Sequence, residues 1–221
     1  MMAQSELQPH ELDALRLLEA DAIRMGSLVL QMVSLATRMV LDDQESLVDK
    51  VMAWEIEVDS AERNIVERVL QTLASNGFSQ YDLPFLSATL CLVNELEKIG
   101  DEATKLASRL QKLQGEFPYE MHDLLREMST LAQGNLRESL RLYSQYSQEA
   151  ARGVVDRDDA VDLAFKTSRN LLVGMMRDDP ERSRQFLRCI EVFHALEHVS
   201  DRATDIAKRI ETCYRPFVKL S

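Results

Sequence analysis

The sequence predicts an all-α protein made of two tandem three-helix bundles, the second a duplicate of the first. Three observations carry this reading. Glycine and proline are scarce, seven and five among 221 residues, against roughly 12% together in average usage, so turn-rich β and collagen-like classes recede. Apolar residues step by three and four along two long stretches, the period of a helix packed lengthwise against partners. The second of those stretches repeats the first at a displacement of 100 residues, with Leu92 falling on Val192.

Clusters of Gly or Pro with Asp, Asn and Ser divide the chain into six segments, each read as a helix. The predicted breaks lie at Leu41–Ser46, Ser75–Pro84, Gln114–Tyr119, Arg152–Asp159 and Arg177–Glu181. In the first segment the longest uncharged window, Met25–Thr37, holds Gln31 and two serines and is too short to span a bilayer, which takes about 20 apolar residues. The second segment carries Glu55, Val58, Asp59 and Ala61, which recur in the fifth as Asp158, Val161, Asp162 and Ala164. The third opens at Pro84, where the missing N–H would have had no partner; Pro118 and Pro180 open the fourth and sixth in the same way.

The seam of the third segment is Leu92, Leu96, Ile99, Ala103, Leu106, Leu110 and Leu113. In the sixth it runs through Cys189, Val192, Leu196, Val199, Ala203, Ile206, Ile210 and Cys213. The register also holds off the seam, pairing Glu97 with Glu197, Asp101 with Asp201, Thr104 with Thr204 and Arg109 with Arg209. Three helices of about 20 to 35 residues, each roughly 30 to 50 Å long, suit an up-down-up bundle with short loops. The expected units are residues 1–115 and 116–221, related by a pseudo-twofold axis.

Composition excludes several classes. A formal charge of -11 repels phosphate backbones and anionic lipid, so neither nucleic acid nor membrane insertion is expected. Three cysteines without CxxC spacing make neither a disulfide framework nor a zinc site, and Cys91, Cys189 and Cys213 are expected as small core residues. Trp54 and the methionines are likewise expected as core filler, and His10 and His122 as solvated residues. The start lacks a basic region followed by an apolar stretch, so no signal peptide is read and a cytoplasmic location is expected. No Gly-rich phosphate loop, nucleophile elbow or catalytic Cys–His signature is visible, so nothing argues for catalysis.

Four acidic pairs stand at i, i+4: Glu55 with Asp59, Glu97 with Asp101, Asp158 with Asp162, and Glu197 with Asp201. The spacing puts both carboxylates on one helix face, where like charges cost roughly 0.2 to 0.5 kcal/mol unless neutralised. Chance supplies about six such pairs in a chain this acidic, so one pair alone is a charge-pattern coincidence. All four, however, lie at duplicated positions, so each bundle can gather four carboxylates, a donor set suited to Mg²⁺, Mn²⁺, Ca²⁺ or iron. With Leu96 and Ile99 on the seam, Glu97 and Asp101 face away from the core and Glu55 and Asp59 lie on a flank. That placement fits both a solvated acidic face and a surface metal patch. Gly100, inside a helix at a cost of roughly 0.5 to 1 kcal/mol, points to a close approach beside Asp101.

The segments NELEKIGDEATKLA (Asn94–Ala107) and HALEHVSDRATDIAKRI (His194–Ile210) resemble the two copies of the E-x-I-G-D motif of the PhoU family of bacterial phosphate-transport regulators. EIEVD and DDAVD resemble that family's D-x-x-[IV]-D motif, and RMGSLV (Arg24–Val29) its first helix. The resemblance covers nearly the whole chain. It implies ligand roles for Glu55, Asp59, Glu97, Asp101, Asp158, Asp162, Glu197 and Asp201, with iron, manganese, magnesium or zinc ions as cofactors. It also implies a non-enzymatic adaptor that restrains phosphate uptake and phosphate-starvation signalling through the ATPase of the phosphate ABC transporter (PstB) and the sensor kinase PhoR, with oligomeric state, homodimer included, left open. Ser200 replaces the motif glycine, His198 its usual basic residue, and Glu55 a common aspartate, so the second site departs further from the pattern.

Two rivals stand beside this reading. One is a metal-free helical scaffold with acidic surfaces. The other is a ferritin-like carboxylate-bridged metalloenzyme, hinted at by the E-x-x-H spacing of Glu191 and His194, which needs a second such motif and two more inward glutamates. Lys98 stands where that second histidine would be, and His194 and His198 are therefore expected to be exposed or to sit behind the ligands.

Overall fold

A computed structural model describes residues 9–42, 47–74, 82–113 and 116–218. Six helices follow one another: α1 (Pro9–Leu41), α2 (Leu47–Ala74), α3 (Leu83–Gln111), α4 (His122–Ser144), α5 (Gln148–Asp178) and α6 (Ser183–Val218). Short 3₁₀ turns at Tyr119–Met121 and Pro180–Arg182 lead into α4 and α6. No strand occurs among the described residues.

Four of the five predicted breaks fall between helices, although residues 43–46, 75–81 and 114–115 lie outside the described ones. The fourth break is corrected. Arg152–Asp159 lies inside α5, and the chain turns earlier, at Gln145–Ser147. Ser147 has extended backbone and its hydroxyl accepts the Ala150 N–H at 3.3 Å, the work of an N-cap. Downstream, Val154 and Val161 are buried while Asp156, Arg157 and Asp159 face water. The aspartates that resembled a turn are the outer face of a helix.

Both seams are buried from Leu92 to Leu113 and from Cys189 to Ile210. Helices α1 to α3 form the first bundle and α4 to α6 the second, with α3 against α6 and α1 against α4 joining them around one continuous apolar core. The α3–α6 pair is antiparallel: Arg109 Nε lies 3.8 Å from Glu191 Oε2, and Arg209 Nη2 lies 3.5 Å from Glu95 Oε1. In the α1–α4 pair, Thr37 and Ser129 share a buried hydroxyl contact of 3.0 Å. Gly26 makes room there, because a Cβ would overlap the end of the Leu140 side chain and force it to shift.

Two side-chain expectations are corrected, those for the cysteines and for His122. Cys91 and Cys213 are half-buried thiols at the edge of the core; Cys189 alone is buried. Trp54 is half-buried and packs against the core as expected, with Lys50 Nζ 4.6 Å from its ring. His122 is half-buried and packs between Phe117 and Tyr119, with centroids at 5.7 and 5.2 Å. His10 is in α1, outside the residues whose side chains are described.

Candidate functional site

The four acidic pairs lie where α2 meets α3 and where α5 meets α6, and the local packing explains how they come together. A Cβ on Gly100 would sit 3.3 Å from Val58 Cγ1. The bare glycine therefore seats Val58, which stands between Glu55 and Asp59, directly against α3. In the second bundle Ser200 takes the place of the glycine and is fully buried. Its hydroxyl donates to Asp158 Oδ1 at 2.6 Å and accepts from Asn135 Nδ2 at 2.7 Å. The departure from the glycine pattern thus ties Asp158 into a buried polar chain.

In the first bundle Glu55, Asp59, Glu97 and Asp101 share one electrostatic neighbourhood. Burial pushes the Glu97 carboxyl above its ordinary range, and the charges of Asp101, Glu62 and Asp59 push it further while Lys98 opposes them. Glu55 is raised in the same direction by burial, Asp59 and Asp101. Lys105 Nζ, 4.0 Å from Asp101 Oδ2 and 2.9 Å from Glu102 Oε1, supplies partial neutralisation.

The second bundle is tighter. Oxygens of Asp162, Glu197 and Asp201 converge to within 4.8 Å of one another. Among the described residues no such triplet forms in the first bundle. Glu197 is raised by burial first and then by Asp201, Asp162 and Asp158, with His194 opposing. Asp201 is raised by burial, Asp158, Asp162 and Asp205, with His198 opposing. Buried Glu197 Oε2 accepts no hydrogen bond, and a buried acceptor left without one costs about 1 to 3 kcal/mol. A crowded all-acid donor set with an orphaned buried oxygen is chemically suited to a cation.

Asp201 is exposed and the other seven carboxylates are half-buried, Asp101 with 46% of its side chain in water, so Glu97 and Asp101 lie off the core on the helix flank as the seam register implies. Flank positions of a bundle helix look along the neighbouring helix as well as into water. Glu191, the other half of the E-x-x-H spacing, is drawn across to Arg109, whose Nη1 also donates to its backbone carbonyl at 3.3 Å; it does not join the acidic cluster. Sequence reasoning missed Glu62, which adds a fifth carboxylate to the first centre, and Glu95. Glu95 is wholly buried and held by Lys98 Nζ at 3.1 Å, Arg202 Nη1 at 3.2 Å and Arg209. Its signal was an acid at a position where the second repeat has Ala195.

No helix among the described residues is long and apolar enough to cross a membrane. The PhoU domain model matches residues 22–110 and again 125–210, one match per bundle. The chain is 30% identical to the phosphate-specific transport system accessory protein PhoU homolog of Pseudomonas aeruginosa, over 85% of this chain and 78% of that protein. It is 31% identical to the protein of the same description from Synechocystis sp., over 89% and 88%. The crystal structure of PhoU from Pseudomonas aeruginosa superposes with a TM-score of 0.85, covering 94% of this chain and 98% of that one at 28% identity. The PhoU structure from Streptococcus pneumoniae shares the fold, with a TM-score of 0.82 at 20% identity. With both repeats matched in register and the relatives aligned over most of their length, this chain belongs to the PhoU family.

Proposed function

We propose that this chain is an accessory, regulatory protein of a phosphate-specific transport system, working as a non-enzymatic adaptor. The observation that carries the reading is the match of both bundles to one family whose relatives are described as phosphate-specific transport accessory proteins. In this reading it acts in the cytoplasm at the membrane face. It holds the transporter's ATPase and the sensor kinase PhoR in a low-activity state when phosphate is plentiful. Contacts to such partners are protein–protein contacts made by an acidic surface of net charge -11, so they are partly electrostatic.

The eight motif carboxylates are the proposed metal ligands. A bound di- or trivalent cation supplies positive charge among them and offsets their repulsion. Glu55 and Asp59 from α2 then act with Glu97 and Asp101 from α3 to fix that helix pair, as Asp158 and Asp162 do with Glu197 and Asp201 between α5 and α6. Support comes from the orphaned Glu197 oxygen and the convergence of Asp162, Glu197 and Asp201. The carboxylate-bridged metalloenzyme is the weaker reading, since Glu191 lies toward Arg109 of α3 and outside the carboxylate cluster.

The test is genetic. Deletion is expected to derepress phosphate-starvation genes in phosphate-rich medium, and the wild-type gene to restore repression. Unchanged phosphate regulation in a strain lacking all family members overturns the reading.

A further inference from the structure

The two carboxylate centres are not chemically equivalent, and the difference lies in nitrogen. His194 and His198 stand one helical turn apart on α6 with ring centroids 4.0 Å apart, and Glu197 lies between them. His194 Nε2 is 3.7 Å and His198 Nε2 3.9 Å from Glu197 Oε2, the buried oxygen that accepts no hydrogen bond. One ligand atom from each of the three residues falls within a 4.8 Å cluster. The imidazoles are 47% and 40% exposed, so an ion can reach them from water.

Both rings are also positioned from outside α6. Phe165 of α5 stacks on His194 with a centroid separation of 5.6 Å. On His198 the other ring nitrogen, Nδ1, lies 3.7 Å from Glu102 Oε2 of α3. At 3.7 Å the pair is an ionic neighbour rather than a hydrogen bond, and a small ring rotation brings it to the carboxylate–imidazole contact that orients a metal-bound histidine from behind. At the equivalent places the first bundle has Asn94, Lys98 and Glu62, the last aligned with Phe165. The ammonium of Lys98 is committed to Glu95. No imidazole faces that centre from the repeat positions.

We propose that His194, Glu197 and His198 form a mixed nitrogen–oxygen site for a borderline d-block dication, of which Zn²⁺ is the probe, while the first centre offers oxygen only. Imidazole favours Zn²⁺, Co²⁺, Ni²⁺ and Cu²⁺, whereas carboxylates alone suit Mg²⁺, Ca²⁺ and Mn²⁺. Glu197 joins the imidazole pair to Asp162 and Asp201, and Glu102 is a positioning residue contributed by the other bundle. The inference rests on the metal-binding part of the function proposed above and adds residues and selectivity to it.

The experiment uses the full-length metal-free protein, titrated calorimetrically with Zn²⁺ and with Mn²⁺. The E97Q/D101N variant isolates the second centre. In that background H194Q/H198Q is expected to weaken Zn²⁺ about a hundredfold and Mn²⁺ by less than about threefold, and E102Q to weaken Zn²⁺ about tenfold. Imidazole nitrogen resonances of the unmutated protein should shift on Zn²⁺ addition, a readout that needs no variant. Zn²⁺ affinity unchanged in H194Q/H198Q and imidazole resonances unmoved by Zn²⁺, with binding lost in E197Q, overturn the mixed site and leave a carboxylate-only centre standing. Absence of Zn²⁺ and Mn²⁺ binding to the unmutated protein overturns the site together with the metal-binding reading.

Discussion

The α2–α3 and α5–α6 centres share a backbone frame and its acidic pairs and differ in the residues that surround them. On the first frame are Gly100, Lys98, Asn94 and Glu62; on the second, Ser200, His198, His194 and Phe165. Gly100 is filled by Val58 from the facing helix, whereas Ser200 fills its own space and binds Asp158 and Asn135. One centre is therefore a looser arrangement with a neutralising lysine at its edge. The other is a converged cluster with an orphaned oxygen and two imidazoles. The apolar seam that builds the frame is kept in both halves, because its positions contact the core; the half-exposed places held by Lys98 and His198 differ freely, while the buried exchange of Gly100 for Ser200 is matched by new partners in Asp158 and Asn135.

The largest effects should come from the part the two halves share. Leu96→Asp and Leu196→Asp each place an unpaired carboxylate at a fully buried seam position and are expected to cost about 3 to 5 kcal/mol apiece. Urea or thermal denaturation checks this, and a variant that melts like the parent would show that the two seams are not equivalent.

A smaller and asymmetric effect is expected at the glycine position. Ser200→Ala removes the acceptor of buried Asn135 Nδ2 and the donor to Asp158, so it should destabilise by about 1 to 3 kcal/mol. The same measurement on Thr104→Ala, whose half-buried hydroxyl bonds only its own helix at Gly100 O, should give less than about 1 kcal/mol. Equal losses would dissolve the contrast.

Charge removal separates the centres again. Glu97→Gln with Asp101→Asn, and Glu197→Gln with Asp201→Asn, should each lower bound metal by elemental analysis. The metal-free stability should stay level or rise by a few tenths of a kcal/mol as repulsion is relieved. Stoichiometry unchanged in both would leave two solvated acidic faces.

A third contrast lies at the ends of the α3–α6 pair. Arg109 faces Glu191 at one end, and at the other the equivalent Arg209 faces Cys91, which occupies the matching place of Glu191. Hydrogen bonding from Cys213 and the Arg209 guanidinium lower the Cys91 thiol to about 6, whereas burial raises Cys189 to about 12. Because the thiolate is the nucleophile, iodoacetamide should label half-exposed Cys91 near its maximal rate at pH 7. The rate should fall as the pH drops through about 6, with Cys189 unlabelled until the chain unfolds. A Cys91 rate still climbing above pH 8 would show that neither the Cys213 hydrogen bond nor the Arg209 guanidinium holds the thiol down. The least marked change is expected from salt, which should slow association with the transporter ATPase or PhoR through screening beyond about 8 Å at physiological ionic strength.

The sequence by itself determined the helical class, the duplication and the core. Those follow from periodicity, and a seam with steps of three and four can be buried in only one way on a 3.6-residue helix. It also placed four carboxylate pairs at matching registers, since i, i+4 neighbours are local. It misplaced one turn, reading Arg152–Asp159 as a break, because Asp-rich segments occur both in loops and on helix faces and only packing tells them apart. Tertiary structure alone decided which side chains meet across helices. Glu95 gathers cations from α3 and α6, Glu62 adds its charge to those that bear on Glu97, and the thiols of Cys91 and Cys213 are only half-buried. Glu102 of one bundle approaches His198 of the other. Such contacts depend on the angle and register at which separate helices pack, and nothing within one helix encodes those quantities: they are set by the joint fit of seams, by Gly26 against Leu140, and by Gly100 against Val58.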